Sequence, residues 1–168
     1  MENLYKELKS FFANDMDLTD LFDSEAIIWI DWREDDEDVV NYFNDMMDEP
    51  IDIQTVSNGK PYGDDIVLQK GDKELLIPYG DEKDRDVTIK YFNDFVKPDY
   101  EVRWFVESLG NDTLGFTVLS GAEWANLEDE FGADTVRYYF EPINLESNMF
   151  NLSMSEVSTL LELRENKR

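Results

Sequence analysis

A stretch of 31 residues recurs within this chain, and that recurrence constrains the fold more than any other feature. Residues 26–56 (AIIWIDWREDDEDVVNYFNDMMDEPIDIQTV) align without a gap on residues 75–105 (LLIPYGDEKDRDVTIKYFNDFVKPDYEVRWF), at an offset of 49 and with 6 identical positions. Four identities are consecutive, Tyr-Phe-Asn-Asp at 42–45 and at 91–94. Both copies run in the same order: an apolar segment of strand length, an acid-rich turn, a segment of helical periodicity, and an alternating segment. In the first copy Val39, Val40, Phe43, Met46 and Met47 share one helical face, behind acids packed where the helix dipole favours them. Ile51, Ile53 and Thr55 then alternate with polar neighbours as a strand does.

Each copy continues into a further strand. The repeat therefore predicts two βαββ units, over 26–70 and 73–119, forming a mixed sheet of about six strands with the repeat helices on one face. Turn chemistry supports the strand ends: Asn58-Gly59 and Pro61-Tyr62-Gly63 before 66–69, and Gly71-Asp72 before 74–79, which makes a hairpin. A second hairpin joins 100–107 to 113–119 across Gly110-Asn111-Asp112.

The flanks read as helices that cover exposed sheet. Leu4, Tyr5, Leu8, Phe11 and Phe12 make an apolar face on a helix of about three turns, and residues 15–25 form a polar connection with a short helical turn at Leu18, Leu21 and Phe22. Ser120 with Glu123 fits a capping box for a helix ending at Gly132, and a short helix over 134–140 stops at Pro142. Ser153 with Glu156 starts a last helix that carries Val157, Leu160 and Leu161 and ends in Arg164, Lys167 and Arg168. The expectation is one acidic α+β domain over 1–168, with an N-terminal helix and linker in 1–25 and C-terminal helices in 120–168.

Charge decides which partners such a body tolerates. Forty acids against fifteen bases give a formal charge of −25, far beyond the magnitude of about 2 to 8 that keeps a small domain soluble. Aromatic residues make up 14% of the chain, so the acid coats a folded body and does not mark a disordered tail. Nucleic acid and anionic lipid are repelled by such a surface, while a basic protein or a cation complements it. No apolar run approaches the roughly 18 residues that span a bilayer, and the opening residues lack a signal-peptide pattern, so the cytoplasm is the expected location. The N-x-S/T triplets at Asn111 and Asn151 are then coincidental.

The chain has neither cysteine nor histidine. Disulfides, thiolate metal sites and thiol nucleophiles are excluded, and so is imidazole base catalysis. No phosphate-cradling glycine motif and no serine-nucleophile motif is present. Two acidic runs remain, Glu34-Asp35-Asp36-Glu37-Asp38 after Asp31, and Asp81-Glu82-Asp84-Asp86. Neither has the spacing of a calcium loop, which supplies roughly six to eight oxygens around a glycine turn. The reading is a non-enzyme with no metal and no cofactor; a carboxylate-based, metal-dependent hydrolase is the least favoured alternative.

Aromatic residues beside acids serve as anchors in protein interfaces. Trp29, Trp104 and Trp124 sit in apolar patterns and read as core. Trp32, at the end of a strand and next to the first acidic run, reads as an interface anchor, with Tyr62, Tyr138 and Tyr139 as weaker candidates. The predicted partner-binding set is Trp32, Glu34, Asp35, Asp36, Glu37, Asp38, Asp81, Glu82, Asp84 and Asp86. The function this favours is inhibitory binding to the basic surface of a nucleic-acid enzyme, as an immunity protein against a nuclease-type bacterial toxin. A phage or mobile-element DNA mimic directed against restriction or CRISPR enzymes is the alternative, and an acidic adaptor a further one.

Overall fold

The computed structural model describes residues 2–31, 33–59, 63–80, 82–109 and 113–167. In chain order the elements are α1 (Glu2–Phe12), α2 (Leu18–Phe22), β1 (Ile28–Asp31), α3 (Asp36–Asp45), β2 (Asp52–Ser57), β3 (Asp64–Lys70) and β4 (Lys73–Leu76). The second half holds α4 (Arg85–Val96), β5 (Tyr100–Phe105), a 3-10 turn (Val106–Ser108), β6 (Thr113–Ser120), α5 (Gly121–Phe131), α6 (Ala133–Tyr139), β7 (Phe140–Pro142) and α7 (Met154–Lys167). The class is α+β. The repeat appears in the helices, since α3 and α4 begin 49 residues apart and each leads into a strand.

The strands do not form the single mixed sheet that the repeat predicts. They form two antiparallel sheets, one ordered β1-β6-β5-β7 and the other β2-β3-β4. Local hairpins explain the division. Gly71, at φ +59, closes the tight turn that pairs Lys70 with Lys73 and ties β4 to β3, a left-handed backbone that glycine adopts without a Cβ penalty. Likewise β5 pairs with β6 from Tyr100–Ser120 to Phe105–Gly115. The strand after α3 thus enters one sheet and the strand after α4 the other. Residues 77–80, which align with β1, run outside the ladders although Ile77 N–H still reaches Ile66 O.

The four-stranded sheet is buried on both faces, which accounts for the nearly unbroken apolar runs of β5 and β6. Val102, Trp104, Phe116 and Val118 enter one core with Phe43 of α3, Phe92 of α4 and Ile66 and Leu68 of β3. Phe105 and Leu119 enter a second core with Leu8, Leu21, Trp124, Leu127 and Phe140, under α1, α2, α5 and α6. Burying a Phe or Leu side chain is worth about 1.5–3 kcal/mol, so the two layers supply much of the driving force for folding.

The Tyr-Phe-Asn-Asp signature has a packing meaning. Phe43 and Phe92 are repeat equivalents, and their rings meet at 5.5 Å between centroids. Asn44 exchanges two hydrogen bonds with the Ile51 backbone, at 2.7 and 2.9 Å. Asn93 accepts from Val102 N–H at 2.7 Å and donates to Ile143 O at 2.9 Å. In both copies the asparagine fixes the chain that follows its helix.

Candidate partner-binding surface

The N-termini of α3 and α4 bring the two acidic runs together through cross-repeat pairs. Arg85 donates from Nε to Asp36 Oδ1 at 3.0 Å and from its terminal nitrogens to the carbonyls of Asp31 (2.6 Å) and Glu34. Lys83 pairs with Glu37. Thr88 donates to Asp36 Oδ1 at 2.9 Å and receives the Tyr79 hydroxyl, whose pKa burial pushes far up. Asp36 is therefore an internal ion-pair partner, only 8% exposed.

The second run divides the same way. Asp84 caps α4 by accepting from Asp86 N–H and Val87 N–H, and it also accepts from the Asn151 side chain at 2.9 and 3.0 Å. Asp86 is fully buried. Its carboxylate accepts three consecutive backbone N–H groups, those of Met149, Phe150 and Asn151, at 2.8–3.1 Å. This oxygen pair holds the segment before α7 against α4.

Of the eight predicted contact residues that the structure describes, Asp35, Asp38 and Glu82 are the ones that stand exposed. Asp35 is the N-cap residue of α3 and makes no capping hydrogen bond with its side chain. Glu34 and Glu37 are partly exposed; Glu34 accepts from the exposed Tyr42 hydroxyl at 2.9 Å, which raises the Tyr42 pKa. Next to them, Arg33 holds the Asp31 carboxyl below its ordinary range through a hydrogen bond. Trp32, Asp81 and Tyr62 lie outside the described residues, as does the 110–112 turn. Trp104 and Trp124 are buried, as their patterns predict, and Trp29 is partly buried with Nε1–H on Phe22 O at 3.4 Å. Tyr138 and Tyr139 are half-buried beneath α7 and α1.

A second acidic surface comes from register and escaped the sequence reading. In the three-stranded sheet, Ile53, Ile66, Leu68 and Leu75 face the core. The opposite face carries Asp52, Gln54, Val56, Asp65, Val67, Gln69, Glu74 and Leu76, with Val67 directly across from Gln54 and Leu76. Val56 and Leu76 are about half exposed, at 49% and 52%. Lys70 and Lys73 belong to the inward-facing set, where Lys73 donates to Phe95 O at 2.6 Å. The turn residues between β2 and β3 predict that the two strands meet, but the register that sets which side chains share the outer face is seen only in the ladder.

Among the described residues no group of three or more acidic side chains converges as a metal site, and no helix is long and apolar enough to cross a membrane. No protein-family model, no curated protein and no solved structure matches this chain.

Proposed function

We propose that this chain is a non-catalytic inhibitory binding protein that covers the basic surface of a nucleic-acid enzyme. The observation that carries the reading is where its few cations go. All five arginines with described side chains are held in ion pairs: Arg33 with Asp31, Arg85 with Asp36, Arg103 with Glu101 and Glu128, Arg137 with Glu128, and Arg164 with Glu107. Each of these arginines is thus neutralised by a carboxylate, and Arg85, Arg103 and Arg164 are largely buried as well, while forty acids face fifteen bases overall. Excess carboxylate at the surface complements a phosphate-binding enzyme, speeding encounter and setting orientation more than raw affinity.

The setting proposed is that of an immunity protein held against a nuclease-type toxin in the cytoplasm. Two packed cores and a buried central sheet favour this over a DNA mimic, whose carboxylates would dominate an elongated surface. Asp35, Asp38 and Glu82 are the exposed contacts at the paired helix starts. The outer face of the β2-β3-β4 sheet adds apolar contact at Val56 and Leu76 within a ring of acids. The test is inhibition of a nuclease encoded beside this chain. One equivalent of the chain abolishes cleavage on this reading, and Asp35→Asn/Asp38→Asn/Glu82→Gln raises the amount required. Undiminished cleavage at excess chain rejects it.

A further inference from the structure

Among the described residues four strands lie at sheet edges: β1 and β7 in one sheet, β2 and β4 in the other. An open edge pairs readily with a foreign strand, and proteins blunt such edges with short strands, proline, lysine or bulges. β1 and β4 have 4 residues each, with Lys73 and Glu74 on β4, and β7 has 3 and ends in Pro142. β2 departs from that rule. It runs for 6 residues, Asp52–Ser57, without proline, lysine or a break in its register against β3, and its one charge sits at its first residue.

The ladder fixes which way the backbone groups of β2 point. Asn58 N–H donates to Gly63 O at 3.0 Å, one step beyond the Ser57–Asp64 pair. Hydrogen-bonded and non-hydrogen-bonded pairs alternate along an antiparallel ladder, so Asp52, Gln54 and Val56 turn their backbone groups toward β3. Ile77 N–H on Ile66 O gives the same alternation from the β4 side. Ile53, Thr55 and Ser57 therefore turn theirs away from the sheet, where no group among the described residues pairs with them. Gln54, Thr55, Val56 and Ser57 are all exposed, so neither face of this edge is covered.

We infer that β2 is a self-association edge, on which β2 of a second copy of this chain pairs antiparallel about a twofold axis at Thr55. A twofold axis through the sheet keeps both cores on one side, so opposed residues must face the same way. The register centred on Thr55 meets that condition and uses every outward group of the strand. Thr55 meets the second copy's Thr55, and Ile53 meets the second copy's Ser57, each pair exchanging two hydrogen bonds. Centring on Gln54 or Val56 sets Ser57 or Ile53 opposite a residue beyond the strand. Gln54 then faces the second copy's Val56 and Asp52 faces its Asn58, so no like charges are opposed, while threonine against threonine is a favourable cross-strand pair.

Charge sets the conditions under which this dimer forms. Each copy carries −25, which opposes association at low salt. Screening lengths of about 8 Å at 0.15 M, and less above it, confine the repulsion to charges near the seam, where β2 itself contributes only Asp52. Self-association therefore tightens as salt rises, the reverse of binding to a basic partner, and it stands whether or not such a partner exists.

Sedimentation equilibrium of the chain alone, up to about 1 mM and in about 0.05 M and about 0.5 M sodium chloride, tests this directly. A monomer–dimer equilibrium that tightens at the higher salt is expected. Thr55→Pro removes the N–H beside the axis in each copy and no bond to β3, a place where an edge strand tolerates proline. It should raise the dimer dissociation constant about tenfold or more, the worth of the hydrogen bonds lost, with circular dichroism and melting near wild type. Thr55→Glu, which sets two carboxylates on the axis, should do the same if the proline variant fails to fold. Because the chain has no cysteine, disulfide trapping reads the register. Gln54→Cys and Val56→Cys face each other in a non-hydrogen-bonded pair with Cα atoms about 4.5 Å apart, within disulfide reach. A mixture of these two variants should cross-link faster than either alone. A chain that stays monomeric at the highest concentration and salt overturns the proposal, as does a dimer indifferent to the folded Thr55 variants. Either cysteine variant cross-linking alone as fast as the mixture overturns the axis at Thr55.

Discussion

Asp36 and Arg85 occupy equivalent positions in the two repeat copies, 49 residues apart, and they meet as an ion pair at 3.0 Å across the starts of α3 and α4. Both side chains are at most 10% exposed. Breaking such a pair strands the other charge, at about 3–5 kcal/mol. Asp36→Asn is expected to lower the urea midpoint by an amount within that range. Asp36→Leu combined with Arg85→Met should recover most of the loss, because both charges leave together. A double variant less stable than either single variant would show that the pair itself supplies net stability.

Asp86 ties the chain before α7 to α4 through three backbone N–H groups. In Asp86→Asn the amide offers one acceptor oxygen where the carboxylate offers two, and at least one N–H is left without a partner. The expected loss is about 1.5–3 kcal/mol for hydrogen bonds to a charged group. Hydrogen exchange should accelerate at Met149, Phe150 and Asn151 more than in the β5–β6 ladder. Equal acceleration everywhere would mean that this contact reports only global stability.

Acid should unfold the protein partly through Glu128. Hydrogen bonds from Arg137, with the Arg103 charge beside it, hold the Glu128 carboxyl below its ordinary range. A carboxylate with a depressed folded pKa stabilises above its unfolded value, and that contribution disappears as pH falls through the folded value. Melting temperature is thus expected to drop below about pH 4, with Glu128→Gln dropping less over the same interval. Glu141 has the opposite sign, because partial desolvation raises its pKa although the residue remains exposed, so its effect is the smaller one. Its ionisation opposes folding above the ordinary carboxylate pKa, so Glu141→Gln should melt higher than wild type at neutral pH.

The exposed acids at the helix starts should be separable from folding. Asp35→Asn/Asp38→Asn/Glu82→Gln alters surface groups, where substitutions usually change stability by less than about 0.5 kcal/mol each. Circular dichroism and urea midpoint should remain near wild type while affinity for a basic partner falls. A large loss of stability would assign these carboxylates to the fold.

Much of the helical layer is legible in the sequence, because periodicity and capping act within a few residues. Ser120 and Glu123 form the capping box their spacing predicts, and the aligned Asp35 and Asp84 stand at the N-caps of α3 and α4. Sheet assembly is less legible. Two βαββ units can share one sheet or divide between two, and the choice depends on hairpins closing before distant strands meet. The acidic runs show the same limit: composition marks them as charged, but only contacts 49 to 65 residues away separate Asp36 and Asp86, turned inward, from Asp35 and Asp38. Gly121 is another such position, since a Cβ there would collide with the Pro98 carbonyl oxygen, a neighbour 23 residues earlier.

If excess surface carboxylate recognises a basic partner, binding must depend steeply on salt. The neighbouring nuclease, once recovered on immobilised chain, is titrated with it from low to high sodium chloride. Electrostatic steering falls steeply as the Debye length shortens from about 30 Å at 0.01 M to about 3 Å at 1 M. The expected partner is a basic protein whose association rate and affinity both fall steeply across that range. A partner without a basic surface, or an affinity indifferent to salt, would contradict it.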